Sequence, residues 1–260
     1  MVTLTPKPPT EGGTTNSPRR IPASSLRKTA FVAGALYLVT FVTSIPTLPL
    51  FAPLQSPGYV LGPGPDTGAL WGVLLNVICA LAGVGTAIAL FPVVKRQNES
   101  LALGFVASRV IEGTLIIIGV VCLLSLVTLR QDAGGAETAA LLTGATMLVT
   151  LHGWTFVLGQ SLMPVVNALL LGTLLYRSRL VPRALPVLGL IGAPLLALSV
   201  TATIFGVFDQ TSPVGTIAAL PIALWEFSLG VWLVVKGFSP SPITADMTAP
   251  DTPAHRDATA

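Results

Sequence analysis

The stretch LALGFVASRVIEGTLIIIGVVCLLSLVTL, residues 101–129, decides the fold of this chain. Its only charged side chains are Arg109 and Glu112, and nearly all the other residues are apolar or small. A helix of about 20 apolar residues crosses the hydrocarbon core of a bilayer, so this stretch is long enough to span one. It therefore predicts a transmembrane helix that carries charge inside the membrane.

Further apolar runs on both sides of this stretch extend the same pattern. Hydrophobic residues make up 52% of the 260 positions and charged residues only 10%, whereas a soluble domain carries about 25% charged residues. We therefore expect an all-α fold, an integral membrane bundle of six transmembrane helices in a single domain at residues 27–238. The predicted spans are residues 30–50, 70–94, 101–129, 154–176, 185–208 and 214–235.

The apolar region 139–176 is too long for one ordinary span and too short for two with a turn. We divide it at His152-Gly153-Trp154, because tryptophan favours the membrane–water interface. This division predicts a short extra helix at residues 139–151, which lies on the outer surface or dips into it, before the fourth span.

The two ends of the chain, residues 1–26 and 239–260, are rich in Thr, Pro, Gly and Ser. Such a composition cannot bury a core, so it predicts two disordered tails. Their location follows from the basic residues, which collect in both tails and in the loops after the second and fourth spans. Only Arg130 lies on the opposite side. Because Lys and Arg accumulate on the cytoplasmic side of membrane proteins, we expect both ends to be cytoplasmic.

Three charged residues fall deep inside predicted spans. Arg109 lies about 13–14 Å from the inner end of the third span, and Glu226 lies about 15 Å from the inner end of the sixth. Glu112 follows Arg109 by three residues and shares its helix face. If the third and sixth spans are neighbours, the three form one cluster. It would be a salt bridge that fixes helix packing, or a site for an ion, a proton or a polar ligand, unless Arg109 snorkels to the inner interface.

Other polar residues are candidates for binding or packing. His152 is expected to be an interfacial side chain, and no metal site is expected because further ligands at suitable spacing are lacking. Asn167, preceded by Gln160 and Ser161, could hydrogen-bond between helices. The two cysteines, Cys79 and Cys122, lie in apolar runs and are expected to pack there.

The sequence contains no motif that indicates catalysis or a cofactor. It lacks a GxxxxGK[ST] phosphate loop, a GxGxxG turn after a strand, an HExxH helix and a GxSxG elbow. The net charge of +3 comes without a basic patch interleaved with aromatics, so nucleic acid is not an expected partner. We expect no cofactor and no enzyme. The bilayer is the expected partner, and a protein partner or a homo-oligomer remains open.

Two functional classes stay open from the sequence. The first is a binding, sensing or accessory membrane protein whose charge cluster holds the helices together. The second is a small ion- or proton-coupled transporter, since six spans divide into two inverted halves of three. An intramembrane enzyme acting on lipid would need a nucleophile–base pair, which the sequence does not show.

Several stretches resemble a bacterial multi-pass membrane family known as domain of unknown function 4386. They are LRKTAFVAGALYLVTF at 26–41, ALFPVVKRQNESLALGFVASRVIEGTL at 89–115, LHGWTFVLG at 151–159, NALLLGTLLYRSRLVPR at 167–183 and ALWEFSLGVWLVVKGF at 223–238. The resemblance implies six helices and location in the bacterial cytoplasmic membrane, and it implies no activity. Relatives often carry an acidic residue at the position of Asn76 and a Gly-Pro step at that of Gln160-Ser161. The resemblance therefore weakens any acidic relay through the second span.

The orientation can be tested with reporter fusions. We expect reporters fused after residues 28, 96, 180 and 240 to be cytoplasmic, and reporters fused after residues 62, 134 and 211 to be outside, because basic loops stay in the cytoplasm. Paired alkaline phosphatase and fluorescent protein activities measure this. A cytoplasmic reporter at residue 134 would contradict the assignment of the third and fourth spans.

Overall fold

A computed structural model describes residues 23–56, 58–134, 137–209 and 211–248 of the chain. Every regular element within these ranges is helical, as the composition predicts. The α-helices are α1 Ala23–Ser44, α2 Thr47–Phe51, α3 Thr67–Val94, α4 Glu99–Gln131, α5 Thr138–Phe156, α6 Met163–Ser178, α7 Ala184–Ile204, α8 Pro213–Val235 and α9 Pro242–Thr248. A 3₁₀ turn, Ala52–Gln55, follows α2, and a π-helical segment, Val157–Leu162, joins α5 to α6.

Six helices in the described part of the chain are long and apolar enough to cross a membrane. They are α1 with its short extension through α2, then α3, α4, the continuous α5–α6 helix, α7 and α8. The predicted number of spans is therefore confirmed. Because that number is even, the first and last spans enter and leave at the same end of the bundle.

The six helices form a closed ring. Each packs against its neighbours in the chain, and α8 returns to pack against α1. Two glycines allow that closing contact, since a Cβ on Gly34 would lie 2.7 Å from the carbonyl oxygen of Gly230. Small residues let helix backbones approach closely in a membrane, where apolar surface alone does not drive helices together.

The predicted division at His152-Gly153-Trp154 is wrong, because one helix runs without a break from Thr138 to Ser178. Packing of α5 along α4 continues the helix through Gly153. A helix of 41 residues measures about 60 Å, twice the thickness of a hydrocarbon core. Its outer half therefore extends beyond the depth that one span requires, and residues 139–151 are not a separate surface helix.

The irregularity in this long helix lies at Val157–Leu162, where the backbone adopts a π-helical turn. Pro164 follows at the start of α6 and explains its position. Proline has no N–H to donate to the carbonyl of the residue four places earlier, here Gln160, and its ring crowds that carbonyl. Such π turns change the direction of a helix and are frequent at functional sites.

The predicted outer end of the bundle is tied together by Arg130. Its guanidinium donates to the Gly64 carbonyl at 2.6 Å and to Asp66 Oδ1 at 2.6 Å, and it lies over the ring of Tyr59. Hydrogen bonds from Tyr59 and Gln131, together with Arg130, hold the pKa of Asp66 below its ordinary value. The lone basic residue on this side thus clamps the loop before α3 onto the end of α4.

At the predicted inner end, Arg27 donates to the last carbonyls of α8, among them that of Val234 at 2.8 Å. The sequence predicts disorder from residue 239, whereas the structure places α9 there. Ser239 N donates to the Leu180 carbonyl at 2.8 Å, and the Ser241 hydroxyl donates to the Ser178 carbonyl. These bonds satisfy carbonyls near the end of α6. The chain after residue 239 is therefore held against α6, whereas its composition predicts disorder. Residues 1–22 and 249–260 of the predicted tails lie outside the described residues.

A glycine-to-alanine pair tests the closing contact of the ring. Gly34→Ala should lower the melting temperature in detergent, because overpacking costs about 1–3 kcal/mol when the obstacle cannot move, and here the obstacle is backbone. Gly68→Ala is the matched control, since its Cβ would meet only Leu50 at 3.8 Å, and alanine favours the helix. Equal melting temperatures for the two variants would show that α1 and α8 do not meet at Gly34.

Candidate functional site

The intramembrane charges meet at the centre of the ring. Arg109 Nη1 lies 3.0 Å from Glu112 Oε2 on the same helix, and Arg109 Nη2 lies 2.5 Å from Glu226 Oε1 on α8. The arginine is only 3% exposed, so the guanidinium sits in a nearly dry environment. The contact expected between Arg109 and Glu226 is therefore present, and Glu112 joins it.

Neutral polar groups complete this charge cluster, which we define as Tyr37, Arg109, Glu112, Asn167 and Glu226. Arg109 Nη2 donates to the Tyr37 hydroxyl at 3.2 Å, and Asn167 Nδ2 donates to Glu112 Oε2 at 2.7 Å. The Ser108 hydroxyl in turn donates to Asn167 Oδ1. The cluster thereby joins α1, α4, α6 and α8 through hydrogen bonds.

The route between the two charged helices differs from the one expected. The sequence argument assumed that the third and sixth spans are neighbours, but α4 and α8 lie on opposite sides of the ring and are not packed against each other. The long side chain of Arg109 crosses the ring instead. Snorkelling to the inner interface is excluded, since the guanidinium is buried and paired.

The charge cluster contains two carboxylates and one guanidinium. Apart from Arg109, the cations of the described residues lie at the ends of the spans. With both glutamates ionised, the cluster would carry one net negative charge, which is costly in a membrane interior. A proton on one glutamate, or a bound monovalent cation, would offset this charge. Beside Arg109 and Glu112 lies a void of about 20 Å³, room for one water molecule.

A much larger cavity, of about 590 Å³, opens toward the predicted outer end. We call it the outer cavity. Its polar lining comes from α2 and the 3₁₀ turn after it, from α3, α5 and the π-helical segment, and from the end of α7 with the loop that follows. The polar lining residues are Thr47, Gln55, Asn76, Thr150, His152, Gln160, Thr203, Asp209 and Thr211.

The outer cavity exists because the ring opens on this side. The π-helical segment and α6 pack against α7, whereas α5, beyond the π turn, is not packed against α7 or α8. The continuous α5–α6 helix has 41 residues, whereas α7 has 21 and pairs with α6 and the π-helical segment, so α5 extends past the end of α7. The cavity lies beside α5, where α7 no longer covers it.

Two predicted site residues, Asn76 and His152, lie on the wall of this cavity. Asn76 is 2% exposed, and its Oδ1 has no hydrogen-bond partner among the described residues. His152 Nδ1 lies 3.3 Å from the Gly119 carbonyl. A carbonyl can only accept, so Nδ1 carries the hydrogen, and Nε2 of the neutral ring remains an acceptor. His152 is therefore buried and hydrogen-bonded, while its position relative to the membrane interface stays a prediction.

The six predicted candidates therefore separate into two sites. Arg109, Glu112, Glu226 and Asn167 belong to the charge cluster, while Asn76 and His152 belong to the outer cavity. Helix α3 connects the two, since Asn76 is one turn before Cys79 and Ala80, which line the small void. Sequence reasoning missed Asp209 and the threonines of the cavity, because nothing in a single sequence shows that these residues meet around one cavity. No group of three His, Cys, Asp or Glu side chains that could hold a metal occurs among the described residues.

Comparison with known proteins gives one match. The family model described as a domain of unknown function, DUF4386, matches residues 32–237, from within α1 to just past the end of α8. No curated protein and no solved structure matches the chain.

A double-mutant cycle tests the energetic coupling in the charge cluster. Arg109→Gln should cost about 3–5 kcal/mol of stability in detergent, because it leaves the buried Glu112 and Glu226 without their cationic partner, whereas Glu226→Gln should cost less, because Arg109 keeps Glu112. Adding Glu226→Gln to Arg109→Gln should recover part of the larger loss, since it removes one of the two carboxylates left without a cation. Melting temperatures and folded yields measure it.

The control for that cycle is Arg96→Gln, which removes an exposed arginine and should change stability little. A double variant as unstable as the sum of the singles would show that the two residues are not coupled.

Proposed function

Because the chain belongs to the DUF4386 family of domains of unknown function, which brings no activity with it, we propose a function from its own sites. We propose that it is a non-catalytic, multi-pass membrane protein that binds a small molecule in the outer cavity and acts as a sensing or accessory protein. The resemblance and the distribution of basic residues support the bacterial cytoplasmic membrane as its location, with both ends inside.

One observation carries this proposal. The buried amide oxygen of Asn76 has no partner among the described residues, and Asn76 lines a cavity of about 590 Å³. Buried polar groups are nearly always hydrogen-bonded, so an orphan in a residue that lines a cavity favours a ligand there that supplies the missing bond. Sites for small molecules measure roughly 300–1,000 Å³ and combine apolar walls with a few polar groups.

The charge cluster supports the binding site from below. It joins α1, α4, α6 and α8, and the helices that line the cavity, α3, α5 and α7, pack against these four. A rigid frame is what a preformed site requires, since a ligand then does not have to order the protein. The sequence lacks nucleophile and metal motifs, which favours binding over catalysis. A homo-oligomer or a protein partner would carry any signal onward.

A second candidate function is a small ion- or proton-coupled transporter. The observation that favours it is the pairing of two glutamates with one arginine, which leaves room for one proton or monovalent cation. Helix α3 lines both the outer cavity, at Asn76, and the small void beside Arg109, at Gly83. These two residues are about 10 Å apart along the helix. A transporter would carry its ligand past this cluster, whereas a sensor would only bind it.

Filling the outer cavity tests the binding proposal. Gly153 lines the cavity, and a Cβ there would meet nothing within 4 Å. Gly153→Leu should therefore fold at least as well as the native chain, since glycine costs about 1 kcal/mol in a helix interior. Native protein in lipid nanodiscs is titrated with phenethylammonium, 2-phenylethanol and 3-phenylpropionate. We expect at least one probe to raise the melting temperature. At a concentration of 100 times its Kd, the bound probe should stabilise the folded protein by about 2.7 kcal/mol.

The shift should vanish in Gly153→Leu and persist in Thr146→Leu, which changes an exposed residue of the same helix away from the cavity. A shift that survives in Gly153→Leu would place binding elsewhere and contradict the proposal. Flux of the same probes or of protons into proteoliposomes, lost in Glu226→Gln, would favour the transporter instead.

A further inference from the structure

We propose that the outer cavity selects a small organic ammonium ion that carries an apolar or aromatic group. This inference rests on the proposed function and adds the chemical class of the ligand. It follows from the charge, the aromatic content and the hydrogen-bonding character of the lining, each of which is independent of the others.

The charge of the lining favours a cation. Asp209, in the loop after α7, is the one carboxylate among the described lining residues, and no lysine or arginine lines the cavity. The backbone of Asp209 is held in place, since its carbonyl accepts a hydrogen bond from Ser212 N at 2.9 Å. Arg130, which lies at the predicted outer end, is paired with Asp66. A ligand in the cavity therefore meets a negative charge that no lining cation offsets.

The aromatic content of the lining favours an ammonium that carries an apolar group. Phe51, Trp154 and Phe156 contribute to the wall. The faces of aromatic rings attract organic cations, and tryptophan does so most strongly. Trp154 is 45% exposed and lines the cavity, so part of its ring is accessible.

The hydrogen-bonding groups of the lining favour a donor. Neutral His152 has an acceptor at Nε2, because Nδ1 donates to the Gly119 carbonyl. The orphaned atom of Asn76 is an oxygen, which again accepts. An ammonium group has donors and no acceptor, so it complements these atoms, whereas a carboxylate would face acceptors with acceptors.

Calorimetric titration of the purified full chain in a nonionic detergent tests the class of ligand. The three matched probes are phenethylammonium, 2-phenylethanol and 3-phenylpropionate, which share a phenyl ring and differ in charge. We expect phenethylammonium to bind at least tenfold more tightly than the alcohol, and the carboxylate to bind most weakly. Asp209→Asn should weaken the ammonium about tenfold and change the alcohol less than twofold.

Two controls locate the effect. Asp132→Asn removes an exposed carboxylate near the turn after α4, outside the cavity, and should leave all three affinities unchanged. Trp154→Leu should weaken the ammonium about threefold more than the alcohol, while Trp71→Leu, on an exposed face outside the cavity, should not.

Equal affinities for the ammonium and the alcohol, or tighter binding of the carboxylate, would overturn the inference and leave the proposed function standing, provided that Gly153→Leu abolishes binding. Absence of binding by phenethylammonium also overturns it. In that case, the proposal of a binding site in the outer cavity stands if another probe binds and Gly153→Leu abolishes that binding. If no probe binds in this way, both proposals are contradicted.

Discussion

The fold depends on the cost of placing Arg109 inside a membrane. A guanidinium at mid-span costs roughly 2.5–3.5 kcal/mol on insertion scales, and its charge cannot be removed by deprotonation at physiological pH. The chain meets that cost by surrounding the guanidinium with two carboxylates and a tyrosine hydroxyl. These partners come from three helices, so the helices must close into a ring around the arginine. The asparagine that binds Glu112 adds a fourth helix.

Much of this arrangement could be predicted from the sequence. Spans follow from length and apolarity, and the matched depths of Arg109 and Glu226 follow from counting residues at a fixed rise. The partner of a buried charge is also predictable when few alternatives exist, since no Asp or Lys lies inside a predicted span. The ring order could not be predicted, because a long arginine can reach across a bundle as well as to a neighbour.

The predicted break at His152 shows where sequence patterns fail. A glycine beside an interfacial tryptophan is a reasonable place for a helix to end, but packing along α4 decided otherwise. The actual irregularity is caused by Pro164, which cannot donate a hydrogen bond to the carbonyl of Gln160, four residues earlier. The outer cavity lies where α5 extends past the end of α7, so its form depends on how the helices pack. The cavity was therefore beyond local reasoning.

The two sites divide the molecule into halves of different character. Around the charge cluster, polar side chains are bonded between helices, and little empty space remains beyond the small void, although Arg109 Nε lacks a partner among the described residues. Beyond it, α5 extends past the end of α7, and polar side chains line the large outer cavity. Helix α3 belongs to both halves, since its face carries Asn76 in the cavity and Gly83 against Arg109. The tight half then acts as the fixed frame, and the open half as the part that responds.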